Sequence, residues 1–240
     1  MCFSVNLNIV KEEMERRFNA KLLDPDEYRP SYYYSAFAFP KIPVICSNTP
    51  EYIKLFQWGL IPYWIKDKDQ ASNIRLKTFN AKAETLTEKP SFRVPVRSKR
   101  CLIISRGFYE WQNVNNRKYP YYIYLKNNQI FTFAGIFDTW TNKNTGESHN
   151  TFSLITTEAN PLVAKIHNIK KRMPVILEPD KEQEWLDTSC PLNDSLKLLK
   201  PLDQNLMRAH TISRLITQKG VDKNTPLLIK PYDYKDPSLI

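Results

Sequence analysis

Glycine is scarce in this chain: five in 240 residues, against 17 prolines and 13 tyrosines. That excludes collagen-like and flexible-linker architectures and points to many short elements joined by ordered loops. Cysteine is equally sparse. Cys2, Cys46, Cys101 and Cys190 are scattered with no C-x-x-C pair, which argues against a zinc site and a disulfide framework. No apolar run approaches the ~20 residues of a membrane span. Asn6, Asn8, Lys11, Glu12 and Glu13 interrupt any secretory pattern at the start. A reducing, cytoplasmic location is the default expectation, with no membrane partner and no metal or organic cofactor.

What is present is a globular composition, 42% hydrophobic and 12% aromatic, long enough to bury one core unaided. The net charge is +10 and the pI about 9.3. Such an excess suits a polyanionic partner, although it also serves general solubility.

Strand signals dominate. They cover residues 101–105, 107–111, 121–125, 130–137, 152–156, 175–177 and 207–213, with a further strand starting at the N-terminus itself. Helical stretches are expected at 11–20 with Asn8 as cap, at 81–89 after Asn80, at 161–166 behind an Asn160-Pro161 cap, at 180–186 behind an Asp180/Gln183 capping box, and at 192–199. Asn127-Asn128 fits a tight hairpin, as does 143–146. From Gly220 the chain reads as an extended tail. Strands and helices do not alternate regularly. The expected fold is therefore α+β: a single domain over 1–240, with a curved, mainly antiparallel sheet or open barrel and flanking short helices.

Several residues carry chemistry. Removal of Met1 would leave an α-amine and a thiol on Cys2. The α-amine titrates near ~7.7–8.0, against ~10.4 for lysine, so roughly a tenth of it is neutral at pH 7. A neutral amine attacks an aldehyde, and the thiol can close on the resulting imine to give a five-membered thiazolidine. A small buried cysteine is the plain alternative. In Gly107-Phe108-Tyr109-Glu110-Trp111, alternation puts Glu110 beside Phe108 on an aromatic strand. Desolvation there would raise its pKa toward proton-shuttling range, unless it points to water. His167 closes a short helix beside Lys170, Lys171 and Arg172. It is either a helix-end partner or a proton carrier next to a phosphate clamp. Asn80 is either an N-cap or a hydrogen-bonding group for a sugar or aldehyde oxygen. His149 and His210 read as structural. Trp58, Tyr63, Trp64, Arg75, Lys77, Lys82, Phe92, Arg93, Arg97, Lys99 and Arg100 interleave rings with cations, as single-stranded nucleic acid binding requires. Trp58 and Phe92 are better read as core.

The order of these motifs resembles the SOS response-associated peptidase family, also called abasic site processing proteins. The matching segments are Met1-Cys2, residues 58–64 (WGLIPYW), 79–85 (FNAKAET), Phe92-Arg93, 100–103 (RCLI), 107–111 (GFYEW), 134–138 (AGIFD), 156–160 (TTEAN), and His167 with 172–177 (RMPVIL). The resemblance implies covalent attachment of Cys2 to abasic sites in single-stranded DNA. It implies Asn80 orienting the sugar, Glu110 and His167 as acid/base groups, Arg172 on a phosphate, and Trp64 near the DNA groove. Lys82, Arg93, Lys170 and Lys171 are further DNA-binding candidates. The family name implies autoproteolytic exposure of the cysteine, and an imine that sulfur does not trap would give weak strand-cleaving lyase activity. A monomer is expected. Three departures stand out: Phe3-Ser4 where Gly-Arg is common, Lys82 where arginine is common, and a longer spacing from His167 to Arg172. Two rival readings are a cysteine peptidase acting in trans, with Cys2 as nucleophile and His167 as base, and a noncovalent single-strand-binding module.

Overall fold

A computed structural model describes residues 2–239. In chain order its strands are β1 Ser4–Leu7, β2 Lys21–Leu22, β3 Ser31–Ser35, β4 Lys41–Cys46, β5 Thr49–Trp58, β6 Asn80–Lys82 and β7 Arg100–Ser105. They continue with β8 Gly107–Val114, β9 Arg117–Leu125, β10 Phe131–Thr141, β11 Ser148–Glu158, β12 Arg172–Pro174, β13 Ile176–Leu177 and β14 Met207–Thr211. The helices are α1 Lys11–Phe18, α2 Lys68–Arg75, α3 Pro95–Ser98, α4 Pro161–Ile166, α5 Glu182–Leu186 and α6 Leu192–Leu196.

Strands β5, β4, β7, β10 and β11 pair in that order, each antiparallel to the next. A short parallel pairing of β11 with β5, Thr151 to Gln57 and Phe152 to Trp58, then closes the ring. The barrel is thus closed, which removes the exposed edges that β5 and β11 would otherwise present. Phe152 and Trp58 stack at this seam with centroids 5.8 Å apart. The second sheet, β14-β9-β8-β1-β3, is antiparallel throughout. Val5, Phe108 and Ile123 from that sheet join Ile103, Phe133 and Leu154 of the barrel in one apolar cluster. Both sheets therefore share a core, and the α+β single-domain reading holds.

The crossing between the sheets is tight. A Cβ at Gly107 would lie 2.3 Å from the Tyr122 ring, and that ring is tethered by Asn6, whose Nδ2 donates to the Tyr122 hydroxyl at 2.9 Å. No side chain fits at Gly107.

Several local expectations are corrected. Residues 81–89 do not form a helix that Asn80 caps. Asn80–Lys82 is a strand running parallel to β11, followed by a single 3₁₀ turn over Ala83–Thr85. Pairing with an already formed sheet outweighs helix propensity here. Asn127-Asn128 does not turn a hairpin between the strands flanking it, because β9 and β10 lie in different sheets. The tight hairpin is Asn115-Asn116, joining β8 to β9 with both residues left-handed (φ 48° and 61°). Asn127 and Asn128 are also left-handed (φ 67° and 50°), so the local signal is the same and only long-range pairing separates the two turns. Helix α1 begins behind Val10 with no side-chain cap, so Asn8 does not cap it. Asp180 sits inside a 3₁₀ turn and α5 starts only at Glu182, without a side-chain cap. The Asn160 cap stands, with its side chain accepting from Val163 N. So does the hairpin turn at 143–146, between the paired strands β10 and β11. The segment from Gly220 is extended apart from a 3₁₀ turn over Pro226–Ile229 that buries Leu228.

Candidate functional site

Strand β11 brings the candidate residues together. Over residues 154–158 it carries β6 on one edge, with Leu154 opposite Asn80, and β12 on the other, with Glu158 opposite Arg172. Asn80 and the His167–Arg172 loop therefore flank a single strand, with Lys82 and Pro174 directly across it, both opposite Thr156, about 10 Å apart. The second sheet supplies the remaining residues. Strand β1 emerges from Cys2 and pairs with β8, Val5 opposite Phe108, which places Glu110 near the start of the chain.

Cys2 is completely buried. The Asn80 side-chain amide donates to the Cys2 carbonyl at 2.9 Å. The Cys2 thiol lies 3.6 Å from the Ser4 carbonyl. Burial pushes its pKa far up, and the nearby charge of Glu110 pushes in the same direction. The Asn80 Oδ1 is buried and accepts no hydrogen bond among the described residues. Glu110 is nearly completely buried, and desolvation raises its pKa above the usual carboxylate range, with the charge of His167 among the influences opposing the rise. The His167 Nδ1 lies 3.9 Å from the nearer Glu110 oxygen and 2.7 Å from the Arg172 carbonyl. A carbonyl only accepts, so Nδ1 carries the proton in that contact and the lone pair of the neutral ring sits on Nε2. The structure therefore gathers Cys2, Asn80, Glu110 and His167 around one buried point. Glu110 is an interior carboxyl, not an edge-strand residue facing water.

The loop behind His167 absorbs the longer spacing to Arg172. His167 caps the end of α4, and Lys171 N returns to the His167 carbonyl at 2.8 Å with Lys171 left-handed (φ 46°). Asn168 ties the loop to β8 through a reciprocal pair with the Asn113 backbone, 2.7 and 3.1 Å. Lys170 and Lys171 are left exposed. Arg172 is not free to act as a simple phosphate clamp. Its guanidinium grips Glu84 with both arms, one at 2.9 Å, and also donates to the Thr156 carbonyl at 2.7 Å. The same contact holds the Glu84 carboxyl below its ordinary range. Sequence reading passed over Glu84, although it lies inside the FNAKAET segment.

Trp64 and Tyr63 are 46% and 56% exposed on a loop fixed from behind. Asp138 accepts from Tyr63 N at 2.9 Å, Thr151 from Ile61 N at 2.8 Å, and Trp140 donates to the Ile65 carbonyl at 2.7 Å. Lys82 and Arg93 are exposed. Trp58 and Phe92 are core, as expected. Arg100 is not part of a cationic row: it is completely buried, 5.3 Å over the Trp185 ring. Lys99 is likewise committed, to Asp138 at 2.6 Å. His149 stacks on Trp140, and His210 meets the Ile229 carbonyl. Beside Cys2 lies an aromatic cluster that the sequence did not announce: Phe3 and Phe37 with centroids 5.2 Å apart, both against Phe79. Phe37 is 62% exposed.

Similarity to known proteins follows the same lines. The family model described as SOS response associated peptidase (SRAP) matches residues 1–219. The abasic site processing protein YoqW of Bacillus subtilis (strain 168) is 37% identical over 235 residues, covering 97% of this chain and all of that one. The abasic site processing protein HMCES of Xenopus tropicalis is 32% identical over 232 residues, covering 85% of this chain and 66% of the relative. A crystal structure of a protein from Bacteroides thetaiotaomicron superposes with a TM-score of 0.90 at 38% identity, covering 96% of this chain and all of that one. The chain belongs to the SOS response associated peptidase (SRAP) family.

Proposed function

We propose that this protein processes abasic sites in single-stranded DNA by attaching itself to them through a thiazolidine on the mature Cys2. The observation that carries the reading is the gathering of Cys2, Asn80, Glu110 and His167 at one buried point. The relatives named abasic site processing proteins support it.

Loss of Met1, by a methionine aminopeptidase or by self-cleavage at the same site, frees the Cys2 amine. The basic surface carrying Lys82, Arg93, Lys170 and Lys171 holds the strand, with Trp64 stacking on bases. Asn80 Oδ1 accepts a hydrogen bond from a sugar hydroxyl. Opening the sugar breaks the bond between C1 and the ring oxygen. The anomeric hydroxyl gives up its proton, and the ring oxygen gains one. The Cys2 nitrogen then adds to the aldehyde carbon, and water leaves to give the imine. Finally the sulfur adds to the imine carbon and its proton passes to nitrogen, so one water is lost overall. A buried Glu110 holds its proton to higher pH than an exposed carboxyl, so it donates to the departing oxygen. His167 Nε2 takes protons. The thiol is held neutral by its surroundings and needs such a base at closure. An imine that escapes closure is open to β-elimination, which gives a weak lyase side reaction. Phe3, which with Ser4 stands where the family resemblance leads one to expect Gly-Arg, provides ring surface together with Phe37 beside Cys2, offering stacking in place of a phosphate contact.

A denaturing gel tests the proposal. Wild-type protein incubated with single-stranded DNA bearing one abasic site gives a shifted, heat-stable band. Cys2→Ser loses that band and keeps one trapped only with borohydride. A stable band from Cys2→Ser without reductant would refute thiazolidine formation. Turnover of peptides in trans, or salt-reversible binding blind to the lesion, would favour a peptidase or a noncovalent binder instead.

A further inference from the structure

A second cleft lies at the turn end of the β8–β9 hairpin, beyond Glu110. Trp111, the next residue along, forms one wall. Arg117 and Lys118 enter just beyond the Asn115-Asn116 turn, and Arg214 and Thr217 come from a 3₁₀ turn after β14. These five residues line a cavity of about 420 Å³. Three are cations, one is an indole, one is a hydroxyl, and none is a carboxylate. Arg214 is poised by rings rather than by an acid, its guanidinium lying 5.8 Å from the centroids of both Tyr119 and Tyr234. The nearest acid in the adjoining depression is Asp236. Its carboxylate accepts from the Tyr119 hydroxyl at 3.1 Å and from Ser238 N at 3.0 Å, and Arg117 lowers its pKa only as a lesser contribution.

We propose that this cleft binds a nucleotide unit, with its phosphate among Arg117, Lys118 and Arg214 and its base against Trp111. A flat apolar wall beside clustered cations suits a ligand with one aromatic face and one anionic phosphate. The volume falls within the range of small-ligand sites, about 300–1,000 Å³. Arg117 pairs with Val114, four residues past Glu110, so the cleft lies about 13 Å along the hairpin from Glu110; the inference goes beyond the proposed function and does not depend on the thiazolidine. The unit is either a free nucleotide or part of a longer strand.

Fluorescence anisotropy with a fluorescein-labelled undamaged oligothymidylate, titrated over a salt series, tests it in the full chain. Arg117 and Lys118 are exposed, so R117E/K118E leaves the fold intact. The expected result is at least a tenfold loss of affinity. Each phosphate neutralised on a single strand contributes about 0.7 to the slope of log K against log salt, so losing the one phosphate held here flattens it by about 0.7. Trp111→Leu should lower affinity about fivefold or more with the slope unchanged. Binding of thymidine monophosphate that the double variant abolishes supports a free-nucleotide site; a strand effect without such binding supports a strand site. An unchanged slope together with unchanged or absent thymidine monophosphate binding in R117E/K118E overturns the cleft, and a full loss there with no effect of Trp111→Leu overturns the nucleotide in favour of a bare anion patch. Adduct formation on a short abasic oligonucleotide is read separately. If wild type forms none while the salt results hold, the Cys2 reading fails and the cleft stands.

Discussion

At the scale of single residues, Glu110 is the most exacting position. Its side chain is buried and its pKa is raised, first by desolvation. The folded state therefore binds this proton more tightly than the unfolded chain does. The stability that follows is complete below the ordinary glutamate pKa and is lost as pH rises through the folded value. Glu110→Gln removes the charge and with it that loss. The variant should have a higher urea midpoint than wild type at pH 8, with the gap closing toward pH 4. An equal gap at both ends would show that the charge of Glu110 is not what destabilises. The same variant should form the abasic-site adduct more slowly at every pH, since an amide can neither give nor take the proton. Cys2 and Glu110 could be singled out from sequence because each has an unusual chemistry for its setting, a thiol sharing a residue with an α-amine and a carboxyl among aromatics. Arg100 and Glu84 could not. A buried arginine over an indole and a surface-facing one look identical in a string, and the Glu84–Arg172 grip joins residues 88 apart.

Among the elements, the loop from Gly59 to Ile65 shows how an exposed aromatic pair is kept rigid. Asp138 is buried and accepts from Tyr63 N, Thr139 N and the Lys99 ammonium. Asp138→Ala leaves those donors unpaired. It should cost about 1–3 kcal/mol in urea unfolding. It should also weaken noncovalent binding of undamaged oligothymidylate, because Trp64 is no longer held in place. Wild-type affinity in that variant would remove the loop from the binding surface. The presence of β1, β7 to β11 and β14 was legible from alternation, though β9, β10 and β11 run longer than read and the barrel strands β4 and β5 were not picked out; the start of α4 was legible from its Asn-Pro pair. Two of the misread stretches share one cause. Residues 81–89 have good helix formers, and Asn127-Asn128 has good turn chemistry. What settled both was a partner strand far away in sequence: β11 claims β6, and the split into two sheets separates β9 from β10.

For the molecule as a whole, the parallel seam between β5 and β11 was not visible in advance, since two short contacts closing a ring leave no periodic mark. Its packing is testable. Phe152 is completely buried and stacks on Trp58, so Phe152→Ala should destabilise by about 3–5 kcal/mol. Because the seam strand also carries β6 and β12, amide exchange at Asn80 and at Arg172 should quicken together in that variant. Exchange that quickens at only one of them would show that the two flanks of the site open independently.

The long hairpin of β10 and β11 has one more consequence. Its turn, residues 142–147, is exposed save for a half-buried Asn142, while the part of β11 that organises the reactive residues begins at Leu154. At ~3.3 Å per residue the turn tip lies some ~20 Å or more from that chemistry. An N-terminal tag is ruled out wherever the free amine is the reagent. Thr145 therefore offers a remote handle, where a fluorophore or affinity peptide can be grafted to follow capture of a lesion without touching the end of the chain that performs it.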